Sequence, residues 1–172
     1  MNFEIGTINT PNPWLWVNTT NLTDYQVSSA SPGETWVPVN QFCSILAVRW
    51  LQNPATTFGF RDLSGQQQLE DASTLQGFDS LQSQTAWAVT QLGGEEVDTQ
   101  QLLTDLPNLN PGTQIWLGNN VHTTAALIRA KGKVKTAEFY NPDTGDTDSY
   151  LIDELSALIP AWNINAAVVK KA

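Results

Sequence analysis

The sequence contains a single cysteine, Cys43, and a single histidine, His122. A thiolate nucleophile needs a base beside it, and that base needs a third group to fix its tautomer and ring orientation. The amide of Asn141 is a candidate for the third group. Taken singly, each residue also fits a plain structural role, since buried free cysteines are common and asparagine before proline is a routine turn residue. The chemistry therefore depends on whether the fold brings the three side chains together.

A helix predicted over residues 40–52 carries the cysteine. Asn40 is a good N-cap residue, so the helix is expected to begin about one turn before Cys43. Only two of the ten residues from 42 to 51 are polar, Ser44 and Arg49, which is typical of a helix buried on nearly all sides. A thiol in the first turn lies in the positive end of the helix dipole, where the thiolate form is favoured.

Predicted strands carry the other two candidates. Hairpin signals separate strands over 113–117, 121–130 and 134–140, so that His122 begins the second strand and Asn141 follows the third. The remaining segments predict short edge strands or ordered loops over 1–39, helices over 64–92 (in two pieces), 98–106 and 150–158, and a last strand over 163–169. We expect one domain over residues 1–172.

The hairpin register predicts that His122 and Asn141 are paired. If residues 131–132 form a two-residue turn, the numbers of paired residues keep a constant sum of 263, and these two side chains lie directly opposite each other. Their Cβ atoms are then about 4.5–5.5 Å apart. A four-residue loop over 130–133 gives the same pairing, whereas a loop of odd length would put the two side chains on different faces.

Three segments resemble the YopT/AvrPphB-type papain-like cysteine proteases. Residues 42–51 (FCSILAVRWL) resemble the nucleophile helix of that family, residues 121–128 (VHTTAALI) its histidine strand, and residues 138–145 (EFYNPDTG) its segment of an aromatic, an acid or amide, and proline. The order and spacing also agree. The resemblance implies an α+β, papain-like fold in which a central nucleophile helix packs on an antiparallel sheet.

The resemblance also implies the roles of the site residues. Cys43 is the nucleophile, His122 the general base and then acid, and Asn141 the orienting group. The family commonly has Asp in the third place, and an amide does not stabilise imidazolium as a carboxylate does. For the oxyanion hole, the nearby amides are Gln41 and Asn40, of which Gln41 is favoured together with the Cys43 backbone N–H because Asn40 is expected to cap the helix.

The composition restricts the classes of partner and cofactor that we expect. The net charge is −9, with 8 basic and 17 acidic residues, so we expect no nucleic-acid partner and a protein substrate that can include a basic segment. No run of residues approaches a membrane span. Zinc sites usually recruit several cysteines and histidines, and we expect no metal and no cofactor. The first residues lack the pattern of a signal peptide, so we expect a cytoplasmic protein or one secreted by a dedicated bacterial secretion system.

Three functions stay open. The resemblance favours a peptidase of bacterial-effector type, directed at a host or competitor protein. Protein glutamine deamidation and acyl transfer use the same geometry, because they differ only in which acyl group enters the cleft and in whether water or an amine attacks. A non-catalytic binding module that retains the fold is the alternative of another class.

Overall fold

The computed structural model describes residues 14–18, 20, 25–28, 32–38, 42–75 and 77–172. Its amino-terminal part contains a three-stranded antiparallel sheet in the order β2-β1-β3, formed by β1 (Trp14–Asn18), β2 (Tyr25–Ser28) and β3 (Trp36–Pro38). Two of the strands, β1 and β3, begin with tryptophan. This agrees with the short strands predicted before residue 40, and the single domain over 1–172 stays a prediction.

The second sheet is the centre of the fold. Its six strands are all antiparallel to their neighbours and follow the order β4-β9-β5-β6-β7-β8. They are β4 (Glu95–Val97), β5 (Gln114–Gly118), β6 (Thr123–Lys131), β7 (Val134–Tyr140), β8 (Thr147–Leu151) and β9 (Ala166–Lys170).

Within the described part of the chain, five α-helices accompany the sheet: α1 (Cys43–Gln52), α2 (Gly65–Leu75), α3 (Leu81–Leu92), α4 (Thr99–Asp105) and α5 (Ile152–Ala161). They lie on both faces, because successive strand residues point in opposite directions. Trp116 belongs to the apolar cluster of α1, α2 and α3, whereas its neighbours Ile115 and Leu117 belong to the cluster of α4 and α5. The predicted α+β class is confirmed. Among the described residues, no helix is long and apolar enough to cross a membrane.

Helix α1 packs on β5 and β6 as the buried helix that the sequence predicts, with eight of its ten residues buried. Its start differs from the prediction, because the α-helix begins at Cys43 itself. Phe42 occupies the N-cap position without a side-chain hydrogen bond, and its ring packs edge-on against Phe60 with centroids 5.0 Å apart. Apolar packing therefore anchors this end. The predicted cap, Asn40, lies outside the described residues.

The β6–β7 hairpin also differs from the prediction. Lys131 pairs with Val134, so the turn residues are Gly132 and Lys133, and paired numbers sum to 265 rather than 263. Gly132 has a φ of +65°, which suits the first central position of a type II′ turn, where glycine is preferred. Continued beyond the strand ends, this register puts Asp143 opposite His122. The predicted register was wrong by two residues, although its choice of face is unchanged.

Candidate functional site

Cys43 is the first residue of α1, and only 4 % of it is exposed. The first four N–H groups of a helix have no carbonyl partner within it, and together they form the positive end of the dipole. The sulfur therefore lies beside partial positive charge although it is buried. The backbone N–H of Cys43 is among those four groups, as an oxyanion donor at this position requires.

His122 is held by the turn that precedes β6. The side-chain oxygen of Asn119 accepts hydrogen bonds from the N–H groups of Val121 (2.9 Å) and His122 (2.8 Å), while its amide donates to the carbonyl of Trp162 (2.9 Å). His122 itself is 2 % exposed. Asn119 was not predicted from the sequence, although an asparagine side chain that bonds to the backbone two residues later is a common feature of turns.

Cys43 and His122 meet in the structure. Burial alone would raise the pKa of the Cys43 thiol, but the charge of His122 and hydrogen bonds from His122 and Thr123 outweigh burial and lower that pKa below its ordinary value. Burial likewise opposes charge on His122, yet its hydrogen bond and charge interaction with Cys43, together with the charge of Asp143, raise the pKa of the imidazole. Both shifts favour a thiolate–imidazolium pair, as in activated cysteine nucleophiles.

A carboxylate lies near the imidazole. Asp143 Oδ2 lies 3.8 Å from His122 Nε2, and the Asp143 side chain is 42 % exposed. This distance is longer than a hydrogen bond, so in this state the two groups interact through charge. Asp143 was not predicted from the sequence, because the predicted register placed Asn141 opposite His122 instead.

Asn141 lies at the base of the same turn. It is 4 % exposed, and its side-chain oxygen accepts the N–H of Asp143 at 3.0 Å. Its backbone closes the turn, since its N–H donates to Asp146 O (2.9 Å) and its carbonyl accepts from Gly145 N (2.7 Å). These contacts hold Asp143 in place. The predicted role of Asn141 as the group that orients His122 stays a prediction, and Asp143 competes for that role.

The predicted oxyanion-hole amides, Gln41 and Asn40, both lie outside the described residues, so their roles stay predictions. Of the predicted oxyanion-hole residues, the structure describes only Cys43, whose backbone N–H is the third predicted donor.

A cleft of about 250 Å³ opens beside Asp143. Its apolar wall includes Leu46, one turn along α1 from the cysteine, and its rim carries the charged side chains of Arg61, Asp62 and Asp143. The residues that line it come from α1, from positions 57–62 and from the turn 142–145. The cleft therefore borders the candidate site at Asp143.

Tyr140 connects that cleft to the core. Its hydroxyl donates to the carbonyl of Phe58 at 2.7 Å, and its ring stacks on Trp50 with centroids 5.2 Å apart. Burial, followed by the charges of Asp62, Asp143 and Cys43, raises its pKa far above the ordinary value for a phenol. The hydroxyl therefore stays protonated and keeps tying positions 57–62 to the sheet.

Comparisons with protein-family models, with curated proteins and with solved structures found no match to this chain.

Proposed function

We propose that this protein is a cysteine-dependent hydrolase that acts on a protein substrate, with Cys43 as nucleophile and His122 as general base and then acid. The observation that carries the proposal is the interaction between Cys43 and His122, which lowers the pKa of the thiol and raises that of the imidazole, beside the Asp143 carboxylate 3.8 Å from His122 Nε2. These are the only cysteine and the only histidine in the chain. The papain-like character of the fold is part of the proposal, supported by a buried nucleophile helix that packs on an antiparallel sheet.

The proposed reaction proceeds in two halves. The Cys43 thiolate attacks the scissile carbonyl carbon, and the resulting oxyanion is stabilised by the Cys43 N–H, with Gln41 as the predicted second donor. The carbon–nitrogen bond then breaks, and His122 gives its proton to the leaving amine. Water next attacks the acyl-cysteine while His122 takes its proton. The carbonyl–sulfur bond breaks, which releases the acid and restores the thiolate–imidazolium pair.

Asp143 is the orienting group that we favour. A carboxylate stabilises imidazolium by charge, whereas an amide can only fix the ring orientation. Hydrogen bonds of catalytic groups are often long in the free enzyme and tighten when substrate binds, and a half-exposed Asp143 has room to move closer. Asn141 then serves by holding the turn that presents Asp143.

Peptide hydrolysis is the preferred activity because of the resemblance described for residues 42–51, 121–128 and 138–145. A protein of bacterial-effector type, acting on a host or competitor protein and delivered by a dedicated secretion system, fits the same resemblance. The net charge of −9 favours a substrate with a basic segment around the cleaved bond.

A peptide library made from a digested proteome with blocked amino termini tests the reaction class. The Cys43→Ala variant is the matched control, since it removes only the sulfur. A peptidase produces new free amino termini, whereas a deamidase converts glutamine to glutamate without cleavage and a transferase joins an added amine to the acyl group. Mass spectrometry separates the three products. Identical product profiles for wild type and Cys43→Ala would contradict the proposal.

A further inference from the structure

Thr123, the residue after His122, is fixed against both β5 and α1. It is 1 % exposed and pairs with Gly118 across the β5–β6 ladder. A Cβ atom built on Gly118 would come within 2.9 Å of the Thr123 methyl group. The missing side chain at Gly118 therefore makes room for the methyl group. Because a β-branched residue has few χ1 rotamers, the position of the hydroxyl oxygen is fixed as well.

A chain of buried hydroxyl groups runs from Thr123 into the helical layer. Thr123 Oγ1 donates to Ser44 Oγ at 3.3 Å, and Ser44 Oγ donates in turn to the side-chain oxygen of Gln84 on α3. Ser44 is 1 % exposed, and its carbonyl accepts a hydrogen bond from the Trp116 indole at 3.2 Å. Each hydroxyl has one hydrogen to donate, so the hydrogen of Ser44 is committed to Gln84.

Thr123 also touches the sulfur. Its backbone N–H and its hydroxyl are close enough to Cys43 that both contribute to lowering the pKa of the thiol. The hydroxyl therefore has two neighbours that can accept its single hydrogen, namely Ser44 Oγ and the sulfur.

We infer that Thr123 is a positioning residue for the proposed nucleophile, whose hydroxyl hydrogen points to Ser44 while Cys43 is a thiol and turns to the sulfur when the thiolate forms. The proton that leaves sulfur goes to His122, and Thr123 loses none, because only its O–H bond rotates. Ser44 then competes with the sulfur for this hydrogen. The inference rests on the proposed function, since it concerns the ionised form of Cys43.

Other titratable groups around the sulfur come from the neighbouring elements. His122 precedes β6, Tyr140 ends β7, Asp143 lies in the turn that follows, and Asp62 acts on Tyr140. Substitutions at Thr123 and Ser44 leave all of these charges unchanged. A changed titration of Cys43 in such variants therefore reports the hydroxyl chain.

The test is a pH titration of the ultraviolet absorbance of the thiolate, which belongs to Cys43 because the chain has no other cysteine. Thr123→Val keeps the shape but removes the hydroxyl, and its midpoint should rise by about one pH unit, which is about tenfold less thiolate at a pH below the midpoint. Thr123→Ser should restore the wild-type midpoint. Ser44→Ala removes the competing acceptor, so its midpoint should move the opposite way, to lower pH.

Thr124→Val is the matched control. It makes the same chemical change one residue along, where the hydroxyl donates to the carbonyl of Tyr140 instead, and its midpoint should stay at the wild-type value. Near-ultraviolet circular dichroism of the tryptophans verifies that each variant is folded. If Thr123→Val does not fold, the shift expected for Ser44→Ala decides the matter from the helix side.

The possible failures are distinguishable. If His122→Ala raises the midpoint but Thr123→Val and Ser44→Ala do not move it, the proposed function stands and this inference is wrong. An equal shift in Thr124→Val would also overturn it, because general repacking would then explain the result. If wild type titrates as an ordinary thiol and His122→Ala changes nothing, both the proposed function and the inference fail.

Discussion

Helix α1 carries two polar clusters that differ in the chemistry of their groups. Near the end of the helix, the Arg49 guanidinium donates hydrogen bonds to both carboxylate oxygens of Asp71, at 3.1 and 2.7 Å. Gln67 donates a third hydrogen bond to the same carboxylate at 2.8 Å. The Arg49 guanidinium carbon also lies 5.6 Å from the centroid of the Trp87 ring. At the start of the helix, His122 has a carboxylate 3.8 Å away on a half-exposed residue, and a thiol as its other partner.

The difference separates a structural cluster from a chemically competent one. A bidentate arginine–carboxylate pair has fixed geometry and strong bonds, and arginine does not give up its proton. The Cys43–His122 pair holds a proton that can lie on either partner, and the nearby carboxylate of Asp143 is half-exposed. One cluster joins α1 to α2 and α3, and the other contains the groups to which we assign the proposed reaction.

Breaking the Arg49–Asp71 cluster should cause the largest loss of stability. Asp71→Ala leaves the guanidinium of Arg49, only 15 % exposed, without its carboxylate, and removing one partner of a buried pair costs about 3–5 kcal/mol. Urea denaturation measures this loss. Glu138→Ala is the control, because its partner Arg129 is 53 % exposed and such a surface pair contributes about 1 kcal/mol or less.

The Asp71→Ala variant also tests whether the two clusters are independent of each other. Under conditions where Asp71→Ala is folded, Cys43 should titrate as in wild type, because the Arg49 cluster makes no contact with the sulfur or the imidazole among the interactions described above. The double variant Arg49→Met, Asp71→Leu should recover much of the lost stability, since apolar residues can replace a buried pair. A shifted Cys43 midpoint in Asp71→Ala would show that the two clusters are coupled.

Removing the imidazole should reverse the direction of the Cys43 pKa shift. With His122→Ala, burial becomes the dominant influence and raises the pKa of Cys43 above its ordinary value, whereas wild type lies below it. The rate of alkylation at neutral pH should fall by about 100-fold or more, because much less of Cys43 is then in the reactive thiolate form. Rates measured against pH give both midpoints, with His122→Gln as the variant that keeps a polar side chain but not its charge.

The pKa shifts also predict how the alkylation rate of wild type depends on pH. Because the pKa of the thiol is lowered and that of the imidazole raised, alkylation should be nearly constant through neutral pH and decline on the acid side. An ordinary thiol would instead gain reactivity up to about pH 8.5. A wild-type rate that rises in that manner and matches His122→Ala would remove the basis for a nucleophile.

The sequence predicted those elements whose ends are marked locally. The division between α2 and α3 near Gly77, the stop of α3 at Gly93 in the left-handed region (φ +66°) and the Asp98 cap of α4 all follow from single residues. The edge strands β4 and β8 were missed, and residues 150–151 were assigned to a helix. Both strands, Glu95–Val97 and Thr147–Leu151, have too little alternation of apolar and polar residues to predict a strand. No local sequence pattern indicates which strands they pair with.

The site was predicted in part, because residue types can be read from the sequence while contacts between elements cannot. The structure places Cys43 and His122 beside each other although the predictions misplaced the start of α1 and the hairpin register, and the roles of the two residues stay predictions. A two-residue error in that register exchanged Asn141 for Asp143 without changing the face, since side chains repeat every two residues. The contacts of Thr123 with Ser44 depend on how α1 packs on the sheet, and no local pattern marks them.

The smallest expected effect decides between the two candidates for the third group. Asp143→Asn keeps the shape of the side chain and removes its charge. Activity should fall by about tenfold, or about 1.4 kcal/mol of barrier, because solvent partly screens a half-exposed carboxylate 3.8 Å from the imidazole. Its unfolding free energy should change by no more than about 0.5 kcal/mol, as for other exposed positions. Asp146→Asn, in the same turn, is the control for charge alone. Full activity in Asp143→Asn, with loss in Asn141→Ala, would instead make the amide the orienting group, because only Asn141 would then be needed beside the imidazole.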